Sequence, residues 1–299
     1  MKVLILLKKK FGGVGTYVLN VKKILEKKGH KVTVIAREED LGIYSLLNSI
    51  FKIRKKVIQL EEKIRFDVIY TQDWSIAFPL LFPYPIYKHK HFCCFHGREA
   101  LFFSKILQNI VGKIMNTKLI TVGPLLKRKF QNSSLIYEGV DLEMFRPLEN
   151  VERKYIGWID KAEVISKEDL HEICKKWRIK VARGIPFERM NFFYNQCSTF
   201  ISLPPPDAGF NLCWLEAMAA GVRKIIGNKY GIGEKLPITK VEEFGWEKAN
   251  SRKEKMMVLI KAIENAEEYD YRKWLMRHSE FTWKAHVEKL EKLWSEFME

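Results

Sequence analysis

Lys2–Ala36 reads KVLILLKKKFGGVGTYVLNVKKILEKKGHKVTVIA, and this stretch decides the fold. Residues 2–7 are a short, unbroken apolar run, the pattern of a strand buried on both faces. A glycine cluster follows, at Gly12, Gly13 and Gly15. Tyr17, Val18, Val21, Ile24 and Leu25 then recur at helical spacing. Lys27 and Lys28 suit a last turn and Gly29 a C-terminal stop. KVTVIA is a second strand. Strand, glycine turn, helix and strand in that order demand a parallel sheet with a right-handed crossover. Glycines let backbone approach a ligand, and amides at a helix start attract phosphate. The pattern is neither G-x-G-x-x-G nor G-K-[ST], so a phosphate cradle and a plain tight turn both satisfy it.

The same rhythm continues outward. FDVIYTQDW and HFCCFHGRE read as strands running into loops, and TKLITVG as a strand before the short helix PLLKRKF. SSLIYEGVDLEMFRP is a strand entering a turn. Residues 146–153 are polar and aperiodic, a linker signal. A second series follows, with strands KYIGWID, IKVARGI, TFISLP and RKIIGN and helices SKEDLHEICKKW, FERMNFFYNQ and FNLCWLEAMAAG. The chain ends in a helix, with Trp283, Val287, Leu290 and Trp294 three or four residues apart. The expected architecture is two Rossmann-like α/β domains, at 1–148 and 149–280, facing a central cleft. Residues 281–299 would form a closing helix that packs back on the first domain.

Hydrophobic content of 47% in 299 residues supplies a real core and argues against general disorder. No run reaches the length of a membrane-spanning helix, and MKVLILL, followed at once by KKK, reads as a strand rather than a leader. Five cysteines, with no metal-ligand spacing, fit reduced thiols in a cytoplasmic protein. The net charge of +16 is lopsided. Residues 1–150 hold 26 Lys/Arg against 13 Asp/Glu, a balance of +13, and the remainder carry only +3. A basic half calls for an anionic partner. The helical stretches YSLLNSIFKIRKKVIQLEEKIRF and ALFFSKILQNIVGKIM combine apolar stripes with lysines. They suit an anionic membrane surface as well as an ordinary solvated face. No nucleic-acid motif is present, and no nucleic-acid partner is expected.

PPPDAGFNLCWLEAMAAGV, Pro204–Val222, sets one carboxylate, Glu216, in an apolar helix. A buried charge is costly unless paired, so Glu216 is a half-exposed surface group, a satisfied core acid or a ligand hook. His96 and Asp73 stand at ends of expected strands. Asp73 can serve an acceptor hydroxyl or simply cap the following helix.

Taken in order, these motifs resemble those of family-4-type glycosyltransferases of the two-Rossmann-domain (GT-B) architecture. The resemblance covers most of the chain. GGVGTYVLNVKKILEKKGHKVTV is similar to the family's opening glycine loop and helix, FCCFHGRE to its active-site histidine loop, and FISLPPPDAGFNLCWLEAMAAGV to its nucleotide-binding signature. The resemblance implies transfer of a hexose from a UDP- or GDP-sugar, with retention, no cofactor and no metal, to a glycan, lipid-linked or small-molecule acceptor. It implies that Glu216 grips the ribose hydroxyls and that the turn amides of Phe210, Asn211 and Leu212 hold the diphosphate. Gly12, Gly13 and Gly15 belong to the donor site, and His96 and Asp73 lie beside the reacting sugar and acceptor. Such an enzyme would sit in the cytoplasm or at the inner face of a membrane.

Three positions depart from the pattern. Ala208 stands where the signature has an earlier glutamate, Trp158 where the family has an arginine, and Glu163 where it has a lysine. Lys161 is the nearest replacement cation, with Arg183, Arg223 and Lys229 as others. The second domain is also shorter than the family's. The alternative these departures raise is a degenerate GT-B protein that binds a glycan, nucleotide or partner without turnover.

Overall fold

A computed structural model describes residues 1–9, 12–37, 43–97, 101–159, 173 and 175–298, with the backbone alone for 43–50. In chain order the first elements are β1 (Lys2–Leu7), α1 (Gly13–Lys27), β2 (Lys31–Ala36), α2 (Ile43–Ile64), β3 (Val68–Gln72) and α3 (Trp74–Leu81). Next come β4 (His91–Phe95), α4 (Phe102–Met115), β5 (Leu119–Thr121), α5 (Pro124–Lys129) and β6 (Ser134–Leu135). The second series is β7 (Tyr155–Ile159), β8 (Ile179–Ala182), α6 (Met190–Asn195), β9 (Cys197–Ile201), α7 (Leu212–Ala219), β10 (Lys224–Gly227) and β11 (Thr239–Lys240). Three helices close the chain, α8 (Arg252–Asn265), α9 (Tyr271–Arg277) and α10 (Trp283–Glu296). Of the expected helix SKEDLHEICKKW only 173 and 175–177 are described, the last three as a turn and bend.

The chain divides into two compact units. Unit 1 is Met1–Glu138 with Trp283–Glu299, and unit 2 is Gly139–Thr282. Each is built on a parallel sheet, as the first 36 residues demand for unit 1 and the second strand–helix series for unit 2.

In unit 1 the order is β2-β1-β3-β4-β5-β6, all parallel. Because strand side chains alternate, β1 feeds two cores. Leu4 and Leu6 pack with Val57, Phe66, Ile69, Ile76 and Leu80. On the opposite face α1 and α10 lie against each other. There Trp294 is fully buried, 5.5 Å from the Tyr70 ring and 6.4 Å from Phe92. The end of the chain thus supplies part of the core of its first unit. FDVIYTQDW does not simply run into a loop. Helix α3 begins at Trp74 and contains Pro79, a residue that masks a helix in sequence because it ordinarily breaks one. Arg54 is buried, and its Nη1 donates to the carbonyls of Pro79, Phe82 and Tyr84 at 3.2, 3.1 and 3.0 Å. It belongs to the interior and not to the basic surface of α2.

In unit 2 the order is β11-β10-β9-β7-β8, again parallel. Residues 146–153, read as a linker, are tied down inside this unit. Arg146 N–H donates to Asn191 Oδ1 at 3.0 Å and Leu148 N–H to Asn195 Oδ1 at 2.8 Å. The C-terminal end of α7 presents carbonyls that want cations. Arg153 Nη2 reaches Ala220 O at 2.7 Å and Asn195 Oδ1 at 2.8 Å. Arg272 Nη1 reaches Ala219 O, and Phe145 O at 3.0 Å. These two guanidiniums set the position of α7. Among the described residues no helix is long and apolar enough to cross a membrane. The described cysteines Cys93, Cys94, Cys197 and Cys213 are buried and form no disulfide among the described residues.

Trp294→Ala should lower unfolding free energy by about 3–5 kcal/mol, the range for truncating a buried aromatic. Denaturant titration followed by circular dichroism measures it. A loss below about 1 kcal/mol would mean that α10 does not close the unit 1 core.

Candidate functional site

In open parallel sheets, ligands gather outside the carboxyl ends of the strands where the strand order reverses. In unit 1 that point lies between β1 and β3, and in unit 2 between β7 and β9. The residues singled out from sequence fall largely at these two edges.

In unit 1, β1 leads towards Gly12, which caps α1 with φ 85°. This is left-handed backbone that glycine adopts without strain. A Cβ built on Gly12 or Gly13 would meet nothing within 4 Å, so internal packing does not demand Gly13. Gly15 is buried within α1. Strand β3 ends at Gln72, and Asp73 follows with φ 79° and ψ 158°, a conformation almost confined to glycine. Its Oδ1 accepts from Trp74 N–H at 3.0 Å, so Asp73 is a helix cap held in strained backbone. Strain of this kind concentrates at functional sites.

His96 follows β4 and meets both neighbours. Its Nδ1 lies 2.8 Å from Glu138 Oε1, and its Nε2 lies 2.8 Å from Gln72 Oε1. Two oxygen acceptors on one ring call for a proton on each nitrogen. Burial works against that charge, but the adjacent Cys94 sulfur and the Glu138 carboxylate outweigh it and raise the His96 pKa well above the ordinary histidine value. Gln72 Nε2 is buried without a hydrogen-bond partner among the described residues. Such an orphan marks a place where a water or ligand group completes the network.

Tyr17 of α1 lies edge-on to His96, with ring centroids 4.6 Å apart. Its hydroxyl is 2.6 Å from Tyr70 Oη and 2.7 Å from His286 Nε2. His286 Nδ1 is 2.7 Å from Tyr137 O. A carbonyl only accepts, so Nδ1 carries the proton. Burial, with the His96 charge adding to it, pushes the His286 pKa down to about 4, so Nε2 is a bare acceptor at neutral pH. The proton directions follow: Tyr70 donates to Tyr17, Tyr17 to His286, and His286 to Tyr137 O. Sequence reading missed Glu138, Gln72, Tyr17 and His286. A histidine and a tyrosine among apolar residues at helical spacing give no signal beyond core.

In unit 2, Glu216 is half-buried on α7, and its Oε2 accepts from Tyr194 Oη at 2.7 Å. Burial first, then the neighbouring carboxylate, raises the Tyr194 pKa well above its ordinary value, so the phenol stays a donor. Glu216 is thus neither sealed against backbone nor loose in solvent. Phe210 is buried, and its carbonyl accepts from Ile232 N–H at 3.1 Å. Gly231, at φ 59°, comes so close that a Cβ there would lie 2.5 Å from that carbonyl. Asn211 caps α7 in left-handed backbone, φ 80° and ψ 68°, and Leu212 is the first helical residue. The turn that opens α7 therefore has a fixed shape.

Trp158, at the expected arginine position, is 2% exposed and packs with Ile156, Ile201, Leu203 and Leu259. It is a core residue and supplies nothing polar. Lys161 and Glu163 lie outside the described residues. Arg183 follows β8 at the carboxyl edge and is exposed. Lys229 follows β10 at that edge and pairs with Glu247. Arg223 precedes β10, at the amino edge of the sheet, where it cannot serve a ligand at the carboxyl ends. Ala208 is partly buried in the loop after β9. Among the described residues no cluster of three or more His, Cys, Asp or Glu could hold a metal ion.

No protein-family model and no curated protein sequence matches the chain. Solved structures do. Sucrose-phosphate synthase from Thermosynechococcus elongatus superposes with a TM-score of 0.72 at 12% identity, over 99% of each chain. The Anabaena protein HepE, solved with UDP and glucose, gives 0.64 at 12% identity, over 99% of this chain and 100% of that one. A UDP-N-acetylglucosamine 2-epimerase of Listeria monocytogenes, so described as a putative assignment in its own right, gives 0.60 at 9% identity, over 97% and 94%. The fold is therefore the GT-B architecture that the motifs resemble. At such identities the likeness establishes the architecture and leaves the chemistry to the residues.

His96 should remain doubly protonated at neutral pH, and His286 neutral with its proton on Nδ1. Nitrogen-resolved NMR of the histidine rings reads both states. Glu138→Gln should bring the His96 titration down towards the ordinary value; an unmoved titration would sink the pairing. The signs differ between the two rings. Stability from His96 is complete below the ordinary histidine value and fades as pH rises through its raised folded value. Stability from His286 is present above the ordinary value and is lost as pH falls through about 4.

Proposed function

We propose that this protein is a glycosyltransferase that moves a hexose from a nucleoside-diphosphate sugar to an acceptor hydroxyl, with retention and without metal or cofactor. The observation that carries the reading is Glu216, half-buried on α7, with one oxygen held by the Tyr194 phenol. A carboxylate oriented in this way suits two vicinal ribose hydroxyls, each of which donates one hydrogen bond. HepE's complex with UDP and glucose supports a donor of this class, with UDP- or GDP-sugars the first choice.

In this reading unit 2 holds the nucleotide. Amides at the opening of α7, from Phe210 to Leu212, face the diphosphate, and the helix dipole favours its charge. Unit 1 holds the acceptor and the transferred sugar, with Gly12, Gly13 and Gly15 leaving room at the start of α1. The acceptor oxygen forms the new bond to the anomeric carbon on the face from which the diphosphate departs, and the acceptor's proton passes to the departing phosphate oxygen. Doubly protonated His96 serves there as a fixed positive charge, its two N–H groups held by Glu138 and Gln72, and not as a base. Asp73 is the carboxylate nearest the acceptor role, re-aimed by its unusual backbone. With Trp158 in the core, stabilisation of the departing diphosphate falls to the helix amides and to cations such as Lys161. The basic bias of unit 1 supports work beside an anionic membrane, on a glycan or a lipid-linked acceptor, at its cytoplasmic face.

Trp158 and Ala208 favour one second reading, a GT-B protein that binds a nucleotide or glycan without turnover. Calorimetry with UDP, GDP and their hexose conjugates tests the donor site. Glu216→Ala should weaken nucleotide binding at least about tenfold, the weight of a charge-assisted hydrogen bond of about 1.5–3 kcal/mol. Folded protein silent to every nucleotide sugar would end the transferase reading. Slow donor hydrolysis, lost in Glu216→Ala, would end the non-catalytic one.

A further inference from the structure

Helix α4 has two apolar sides. Leu107, Val111 and Met115 face the core of unit 1. At 100° per residue, Phe102 and Ile106 turn away from that core, with Ile110 and Phe103 along the border between the two sides. They are not covered: Leu101 is 73% exposed, Phe102 80% and Phe103 63%, with Ile106 and Ile110 also exposed. An apolar stripe left in the open on a folded unit marks a surface that meets something else. Lys105 and Lys113 are exposed and flank this stripe.

Charge identifies what covers it. From Ala100 to Tyr137 the sequence has six Lys/Arg and no Asp or Glu. The next helices of the same layer repeat the theme. α3 packs between α2 and α4, and α2 exposes Phe51 beside Lys52, Lys55 and Lys56. A second copy of a chain with net charge +16 would set like charge against like. An anionic bilayer offers hydrocarbon for the phenylalanines and phosphates for the lysines at the depth where each sits.

We propose that unit 1 docks on anionic phospholipid bilayers through the start of α4, with Leu101, Phe102 and Phe103 entering the acyl boundary and Lys105 and Lys113 at the headgroups. The acceptor site gains by this placement. The start of α4 follows β4, at the same sheet edge as His96. The docking itself needs no nucleotide, so it stands or falls separately from the transferase reading.

Vesicle flotation tests it with the full chain. The protein should float with phosphatidylcholine vesicles containing phosphatidylglycerol and stay behind with phosphatidylcholine alone. High salt should weaken binding. Phe102→Ser with Phe103→Ser should lower vesicle affinity at least about tenfold, with unchanged circular dichroism and melting, since both side chains are exposed. Lys105→Glu with Lys113→Glu should lower it too and flatten the salt dependence. Failure of the wild-type chain to float with phosphatidylglycerol, or flotation unchanged in the double serine variant, overturns the proposal. So does a dimer in sedimentation equilibrium that the double serine variant disperses, which would give this face to a second copy.

Discussion

The Tyr17 hydroxyl holds unit 1 together at its polar centre. It receives a proton from Tyr70 of β3 and gives its own to His286 of α10, so one oxygen joins the first helix, a central strand and the last helix. Buried polar groups are tolerated only when satisfied, and this chain is satisfied end to end, finishing on the Tyr137 carbonyl. The arrangement has an electrostatic consequence. Glu138 follows Tyr137 directly and pairs with His96, so the neutral ring and the charged ring are set by adjacent residues. His286 stays unprotonated partly because His96 is charged close by. The fold thereby fixes where the proton of the candidate site resides.

Unit 2 works by a different balance. Its key helix is short and apolar, and its carbonyl end is met by Arg153 and Arg272. Those guanidiniums spend their hydrogen bonds largely on backbone carbonyls, while Glu216 accepts from the Tyr194 phenol. The apparent loss of an arginine at Trp158 looks different in this setting. Trp158 fills the space beneath α8, and any charge there would be buried without compensation.

Much of the fold was readable because parallel strands buried on both faces leave continuous apolar runs, and because Gly12 and Gly29 punctuate α1 where chemistry requires it. The elements that escaped notice had physical reasons to do so. α3 carries Pro79. β11 spans two residues, Thr239–Lys240, and α8 has a charge-rich sequence with a thin apolar stripe. The candidate site was half readable. Glu216 announced itself as a charge in apolar surroundings, and His96 as a polar end to an apolar strand. Glu138, Gln72, Tyr17 and His286 did not, because their meaning lies in contacts across 24, 42 and 269 residues of chain. A single sequence shows spacing along the chain and is blind to such partners. The dual nature of α4 was visible only as a stripe of apolar residues; which side lay uncovered required the packed unit.

The return of α10 to unit 1 also orders the birth of the molecule. On the ribosome, all of unit 2 emerges before the helix that bears His286 and Trp294. Unit 2 can therefore close on its own while its predecessor waits with Tyr17 and Tyr70 still wet. Until translation reaches that segment, the six strands of unit 1 are all present but one face of their sheet lacks its covering helix.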